Sequence, residues 1–494
     1  MRNSVALSPA LPRRGIAGAS ASTPPTAAPA AEPERLTLSR DPLRIALFIL
    51  TIVTVSRVHQ HWPILAKLRP ALLLTMAAAA YAWVHPKYLS NVNIFKFWPM
   101  RRVAMLAVLA CCSVVFGISL GNSGRYVLEN YSKTLVYSCL LMMSIRSIRD
   151  VYTYIWAYVI SCGILSYFAT FVFKISKSYG TAVTRLSDLY MYDANDLGLV
   201  LIVGLAFTLL LLQVTRGAKR LALLVILTFI VISVARSGSR GAFLGLVGVG
   251  VAGLFLIDTV STSRRIGLAL FSLVALLLAA PPGYWEQMGT IAKPHEDYNI
   301  TATDGRKELI QRGFGYAMAY PVFGIGVANF GKAECTISAD KAEASGKLRC
   351  GAPHNSYVQA MAELGFIGLF VWSSLVFGGI RAMLKLKRRI PRWWRRGNET
   401  ERFIYSAITF TTLAMIGFAI TAFFLSFAWN DIIYILAAFM SGLMLSVKVY
   451  VASRSNTGGP ASAPVRRAGR QRFRGWRVAQ SEARYGAPAT SRAE

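Results

Sequence analysis

His354 stands in Gly351-Ala352-Pro353-His354-Asn355-Ser356-Tyr357, where a long polar stretch gives way to an apolar one running from about Ser356 to Ile380. An imidazole just ahead of a helix at a membrane surface stays neutral, because the positive end of the helix dipole disfavours its cation, and a neutral imidazole can take a proton from a hydroxyl. Two arginine-bearing stretches supply complementary charge. Arg236-Ser237-Gly238-Ser239-Arg240-Gly241 reads as a six-residue turn between two apolar stretches. Arg306 falls in the first turn of a helix capped by Thr303 or Asp304, where the dipole disfavours a cation. Guanidinium forks and the backbone N–H groups of a helix start both bind phosphate oxygens. Plainer readings stand beside these: Arg236 and Arg240 as interfacial anchors, Arg306 as a solvated loop residue, and His354 as a helix-end residue next to the caps Asn355 and Ser356.

Other polar residues give weaker signals. Asp193, Asn195 and Asp196 open a further apolar stretch and serve as helix caps, with a sugar contact by Asp193 and Asn195 as the alternative. Asn355 carries the same two readings. Glu363 lies about two and a half turns into the span after His354, on roughly the opposite face, and is expected to pair inside the bundle. Arg312 is turned well away from Arg306. His59, His61 and His85 read as interfacial anchors, and His295 lies in an acidic stretch. Of the six cysteines, Cys111, Cys112, Cys139 and Cys162 fall in or beside apolar stretches as small core residues. Cys335 and Cys350 share the polar stretch before His354, and in an oxidising compartment they could pair to close a loop worth roughly 3 kcal/mol. No CxxC or HExxH spacing occurs, so no metal site is expected.

The elements that must position these groups are membrane helices. With 54 % hydrophobic and only 16 % charged residues, the 494-residue chain is too apolar for a soluble enzyme. Its formal net charge of +31 lies largely in loops and tails, so membrane topology rather than nucleic acid accounts for it. The expected fold is an all-α polytopic membrane protein of about twelve spans, each needing about 20 mostly apolar residues, with one large external loop containing short helices. Spans are expected near 42–58, 68–84, 102–120, 132–147, 151–173, 195–215, 219–235, 240–259, 266–282, 356–380, 403–427 and 431–450. Residues 1–41 read as a disordered arm, 42–282 as about nine membrane helices, 283–355 as the large loop, 356–450 as about three more helices, and 451–494 as a basic disordered tail lying against anionic membrane lipids. Short basic loops such as Arg146 and Arg149, Arg216 to Arg220, and Arg381 to Arg402 collect on one side. That side is cytoplasmic by the positive-inside bias, which puts both termini inside and 283–355 outside.

Taken in order, Ser237-Gly238-Ser239-Arg240-Gly241, Asp304-Gly305-Arg306, Pro321 to Gly326, Pro353-His354-Asn355-Ser356-Tyr357 and Glu363-Leu364-Gly365 resemble the successive signatures of the O-antigen ligase and polymerase superfamily. The resemblance covers about residues 190 to 380. It implies a bacterial inner-membrane glycosyltransferase whose donor is a glycan on undecaprenyl diphosphate, acting at the periplasmic face with neither metal nor nucleotide cofactor. The acceptor would be lipid A-core, a protein or a lipid-linked glycan. His354 matches the family's proposed base, and Arg240 and Arg306 match the arginines on the diphosphate, with Arg236 as a neighbour. Some members carry a proline where this chain has Ala194, which separates Asp193 from that pattern. A ligase is favoured over a polymerase, and a lipid or polysaccharide transporter is the rival from another class.

Overall fold

The computed structural model describes residues 36–88, 93–177, 184–187, 189, 192–293, 305–336 and 351–456. Every apolar stretch expected to span coincides with a helix. In chain order these are α1 (Pro42–Ser56), α2 (Pro70–Val84), α3 (Trp98–Phe116), α4 (Ser132–Ser144), α5 (Ile148–Tyr167), α6 (Ala194–Val214), α7 (Ala218–Ser237), α8 (Arg240–Leu256) and α9 (Thr262–Ala279). Two helices of the polar interval follow, α10 (Arg306–Ala319) and α11 (Phe330–Thr336), and then α12 (Ser356–Arg389), α13 (Glu399–Thr421) and α14 (Asp431–Asn456). The protein is mostly helical, and eight helices among the described residues are long and apolar enough to cross a membrane. α1, α2 and α8 are shorter apolar helices, and α4, at 13 residues, is shorter still. The sheet among the described residues is a two-stranded antiparallel pair, β1 (Ile175–Lys177) and β2 (Thr184–Leu186), with Ser176 opposite Arg185.

α6 and α13 form the centre of the bundle and pack on each other, with α7 and α8 alongside. Small residues permit this closeness: a Cβ on Gly198 would lie 2.5 Å from that of Ala242, and one on Gly417 would lie 2.6 Å from the Ile202 side chain. In lipid, where apolar surface alone gives helices little reason to associate, such backbone approach is what holds them together. α9 sits at the periphery and is largely exposed, as a lipid-facing helix would be.

Three boundaries differ from the sequence reading. Residues 36–41, assigned to a disordered arm, are pinned to the start of α5: Arg149 donates to the carbonyls of Thr37 (2.9 Å) and Leu38 (2.7 Å), and the Ser39 N–H donates to Thr153. α14 continues to Asn456, past the expected end at 450. The apolar run from Ser356 is not one straight helix, because Gly365 takes φ 69° and breaks it.

Candidate active site

The break at Gly365 is the anchor of the site. The segment Pro321 to Phe330 docks into it: Ile325 and Gly326 N–H groups donate to the carbonyls of Ala362 (2.9 Å) and Glu363 (3.1 Å), and Phe366 N–H donates to Pro321 O (2.9 Å). Gly324 and Gly365 both hold positive φ there, and a Cβ on Gly324 would lie 2.3 Å from the Glu363 backbone. Glu363, buried, accepts from the N–H of Ala328 (2.9 Å), the N–H of Phe330 (3.3 Å) and the indole of Trp429. Its expected pairing inside the bundle is therefore made with backbone and indole donors rather than with a cation. The same segment is also tied to residues just after α3, where Ile118 N–H donates to Ile325 O (2.9 Å) and Ser123 Oγ, in the short helix Leu120–Tyr126, to Val327 O (2.8 Å).

This docking fixes the first part of α12 against α10. Leu309, Tyr316 and Phe330 form a small core with Val358 and Met361, and Gly313 lets Val358 approach. Arg312 belongs to the same framework: it forks onto the buried Glu334 (Nη2 to Oε2 2.8 Å), and Tyr316 Oη donates to that carboxylate at 2.6 Å. It is thereby accounted for as structural, in line with its weaker standing in the sequence. The α10 N-cap is Gly305, with Arg306 as the first helical residue; Thr303 and Asp304, expected as caps, lie outside the described residues.

His354 stands one residue before the α12 N-cap. Asn355 performs the capping, its side-chain oxygen accepting from Tyr357 N–H (3.0 Å) and Val358 N–H (3.1 Å). His354 itself is half-buried, with a backbone φ of 44°. Its pKa is held below the ordinary imidazole value, first by burial, then by the Arg306 cation, with Arg185 adding to this and Asp193 opposing it. Burial and the neighbouring guanidinium groups thus both favour the neutral ring. Arg306, Asp193 and Arg185 are all within electrostatic reach of the imidazole. Arg185, on β2, was missed; its signal was a cation in a loop on the side that the positive-inside bias leaves poor in them.

Arg240 opens α8 beside this group. The expected six-residue turn shrinks to Gly238 and Ser239, because Arg236 and Ser237 still belong to α7 and Arg240 already to α8. Ser239 caps α8 through the Ala242 N–H, and Arg240 Nη1 donates to Thr290 Oγ1 at 2.8 Å. Residues 423–425 bridge to α12: Gly241 packs on Phe424, Tyr357 stacks on Phe423 (4.3 Å between centroids), and Ser356 Oγ donates to Leu425 O (2.8 Å). Arg236 points elsewhere, donating to Ala169 O at 3.0 Å and facing a groove between α7 and α9. Asp193 caps α6 by accepting from the N–H groups of Asn195 and Asp196, both at 2.7 Å, and Asn195 is buried.

Cys335 is disulfide-bonded and Cys111, Cys112, Cys139 and Cys162 are free; Cys350, its expected partner, lies outside the described residues, as does His295. Among the described residues no group of three metal-ligating side chains occurs. What acts on the imidazole is guanidinium charge from β2 and α10, while Arg240 at the α8 start is linked to α12 through residues 423–425. Such a set can deprotonate a hydroxyl and hold an anionic leaving group.

Residues 223–373 match the family model described as O-antigen ligase. The match supports the resemblance to the O-antigen ligase and polymerase superfamily and points to a membrane enzyme of glycosyltransferase type. It runs from α7 into α12 and so contains Arg236, Arg240, Arg306 and His354, while Arg185 and Asp193 precede it. No curated protein matches the chain.

Proposed function

We propose that this chain transfers a glycan from undecaprenyl diphosphate to an acceptor hydroxyl at the periplasmic face of a bacterial inner membrane, with His354 as general base and Arg240 and Arg306 on the diphosphate. The observation that carries the reading is a half-buried, neutral His354 on which Arg306 and Arg185 both act. In the reaction the acceptor oxygen bonds to the anomeric carbon as the bond from that carbon to the phosphate oxygen breaks. The hydroxyl proton passes to His354, and undecaprenyl diphosphate leaves with the bonding pair. Guanidinium groups fixed in a poorly hydrated setting stabilise the charge growing on the diphosphate, and the base contributes typically about 10²–10⁴-fold. Attack from the face opposite the diphosphate inverts the anomeric centre.

Orientation is supported by charge. At the end of the bundle opposite His354, Lys96, Arg101, Arg102, Arg381, Lys385 and Lys448 line one cavity of about 500 Å³, with no carboxylate among its described lining residues. Such a cluster belongs on the cytoplasmic side, leaving His354 outside.

A ligase and a polymerase share this chemistry and differ in acceptor. Deleting the protein from its host distinguishes them: lipid A-core lacking all polymer identifies a ligase, and core bearing a single repeat identifies a polymerase. Unchanged surface glycans would contradict both. A transporter is disfavoured because its ionisable groups would lie at mid-membrane between repeated halves, whereas the candidates here gather at helix ends.

A further inference from the structure

A second cavity, of about 530 Å³, opens among helix ends on the His354 side. Arg57 after α1, Lys133 in α4, Asp196 in the first turn of α6 and Asp431 at the start of α14 all face it. Two cations and two acidic side chains therefore share this wall. Arg57, stacked over Tyr192 at 4.3 Å, feels both Asp431 and Asp196, and Asp431 also accepts from Thr134 Oγ1. A wall that sets acidic side chains beside its cations is not one dedicated to a diphosphate.

What the cavity offers instead is hydrogen bonding. His59 Nδ1 and Ser426 Oγ are buried in its wall with no hydrogen-bond partner among the described residues, an arrangement that is unfavourable unless something satisfies them. His59 had read as an interfacial anchor; burial and Arg57 lower the proton affinity of its ring, against a backbone interaction with Val53 that raises it, and the neutral form suits a hydroxyl. Gln60 and Asn130 add amides, and Tyr126 and Trp429 add aromatic surface. The volume lies in the range of roughly 300–1,000 Å³ typical of ligand pockets, far more than an ion needs. Mixed donors and acceptors beside aromatic faces describe a receptor for a polyol.

The cavity also adjoins the candidate active site. Gln359, in its wall, lies in the first turns of the helix that His354 precedes, and Asp196 follows by three residues the Asp193 that acts on the imidazole. We infer that this cavity is a saccharide subsite that takes pyranose units beside His354. The assignment rests on the glycosyl-transfer reading for its purpose, and the sugars would belong either to the lipid-linked donor or to the acceptor.

The test uses the full chain in nanodiscs and saturation-transfer NMR with a panel of free uncharged di- and trisaccharides. Wild type should bind at least one of them, and Ser426→Trp, which fills the cavity, should weaken that binding at least tenfold. Gln60→Leu, a milder change at the wall, should weaken it several-fold and covers a folding failure of the first variant. No binding by wild type, or full binding by two folded variants, overturns the subsite. Affinity for a sugarless polyprenyl diphosphate, measured in parallel, separates the two claims: saccharide binding without diphosphate binding would sink glycosyl transfer but leave the subsite standing. If Ser426→Trp weakens a polyprenyl diphosphate disaccharide but not the sugarless lipid, the cavity holds donor sugars; if it raises only the acceptor KM, it holds acceptor sugars.

Discussion

His354 adopts φ 44° although it is not glycine, and a side chain in the left-handed region costs on the order of 1–2 kcal/mol. Asparagine tolerates that conformation better than alanine, so His354→Asn is expected to insert normally while losing transfer by at least 10²-fold, as removal of a general base would. Its titration gives a finer check. A pKa lowered from about 6.5 means that the base form predominates at pH 7, so activity should rise with pH through an acid limb lying below that value. Arg306→Ala removes a cation that disfavours the imidazolium and should move the limb to higher pH, whereas Asp193→Asn removes an anion that favours it and should move the limb lower. Limbs that coincide in the two variants would show that the profile belongs to another group. The chemistry of these residues could be read from their types and order in the sequence. Arg185 could not, because what makes it relevant is a two-residue-deep register in a hairpin rather than any motif.

At the scale of elements, the break in α12 and the segment docked into it position the base. Glu363→Ala would strand the Ala328 and Phe330 N–H groups and the Trp429 indole, at about 3 kcal/mol or more for the set. The expected readout is loss of thermal stability, with Glu363→Gln recovering part of it. Arg312→Ala would leave the buried Glu334 unpaired, a loss of roughly 3–5 kcal/mol, seen as faster proteolysis of the α10–α11 region, with Arg312→Lys intermediate. Helix periodicity located α10 to its last residue, Ala319, and the long apolar runs located every membrane helix. The kink at Gly365 was hidden because glycine is common in apolar helices, and what demands it, the approach of Pro321 and Val322, comes from a segment some forty residues earlier.

For the whole molecule, alternation of the helices and the basic cavity at one end predict the topology. A periplasm-dependent enzymatic reporter inserted after Ile291 should be active, and one fused after Asn456 should be inactive there while a cytoplasmic reporter at that point works. The opposite pattern would turn His354 toward the cytosol. Composition was sufficient to expect a polytopic bundle, but span lengths were not: α1, α2, α4 and α8 fall short of the 18 residues of the longer helices, a matter decided by how neighbouring helices tilt and pack. The saccharide cavity was illegible for a related reason, since its walls come from helix ends scattered from Thr54 to Asp431.

The most direct measurement reconstitutes purified wild-type, Arg240→Ala and His354→Asn proteins in vesicles with lipid-linked glycan donor and acceptor, and follows release of undecaprenyl diphosphate with and without a metal chelator. Wild type should transfer glycan equally in both conditions, and each variant should bind membrane normally yet transfer at least 10²-fold more slowly. Wild-type rates in His354→Asn would contradict the assignment of the base, and with it the central claim.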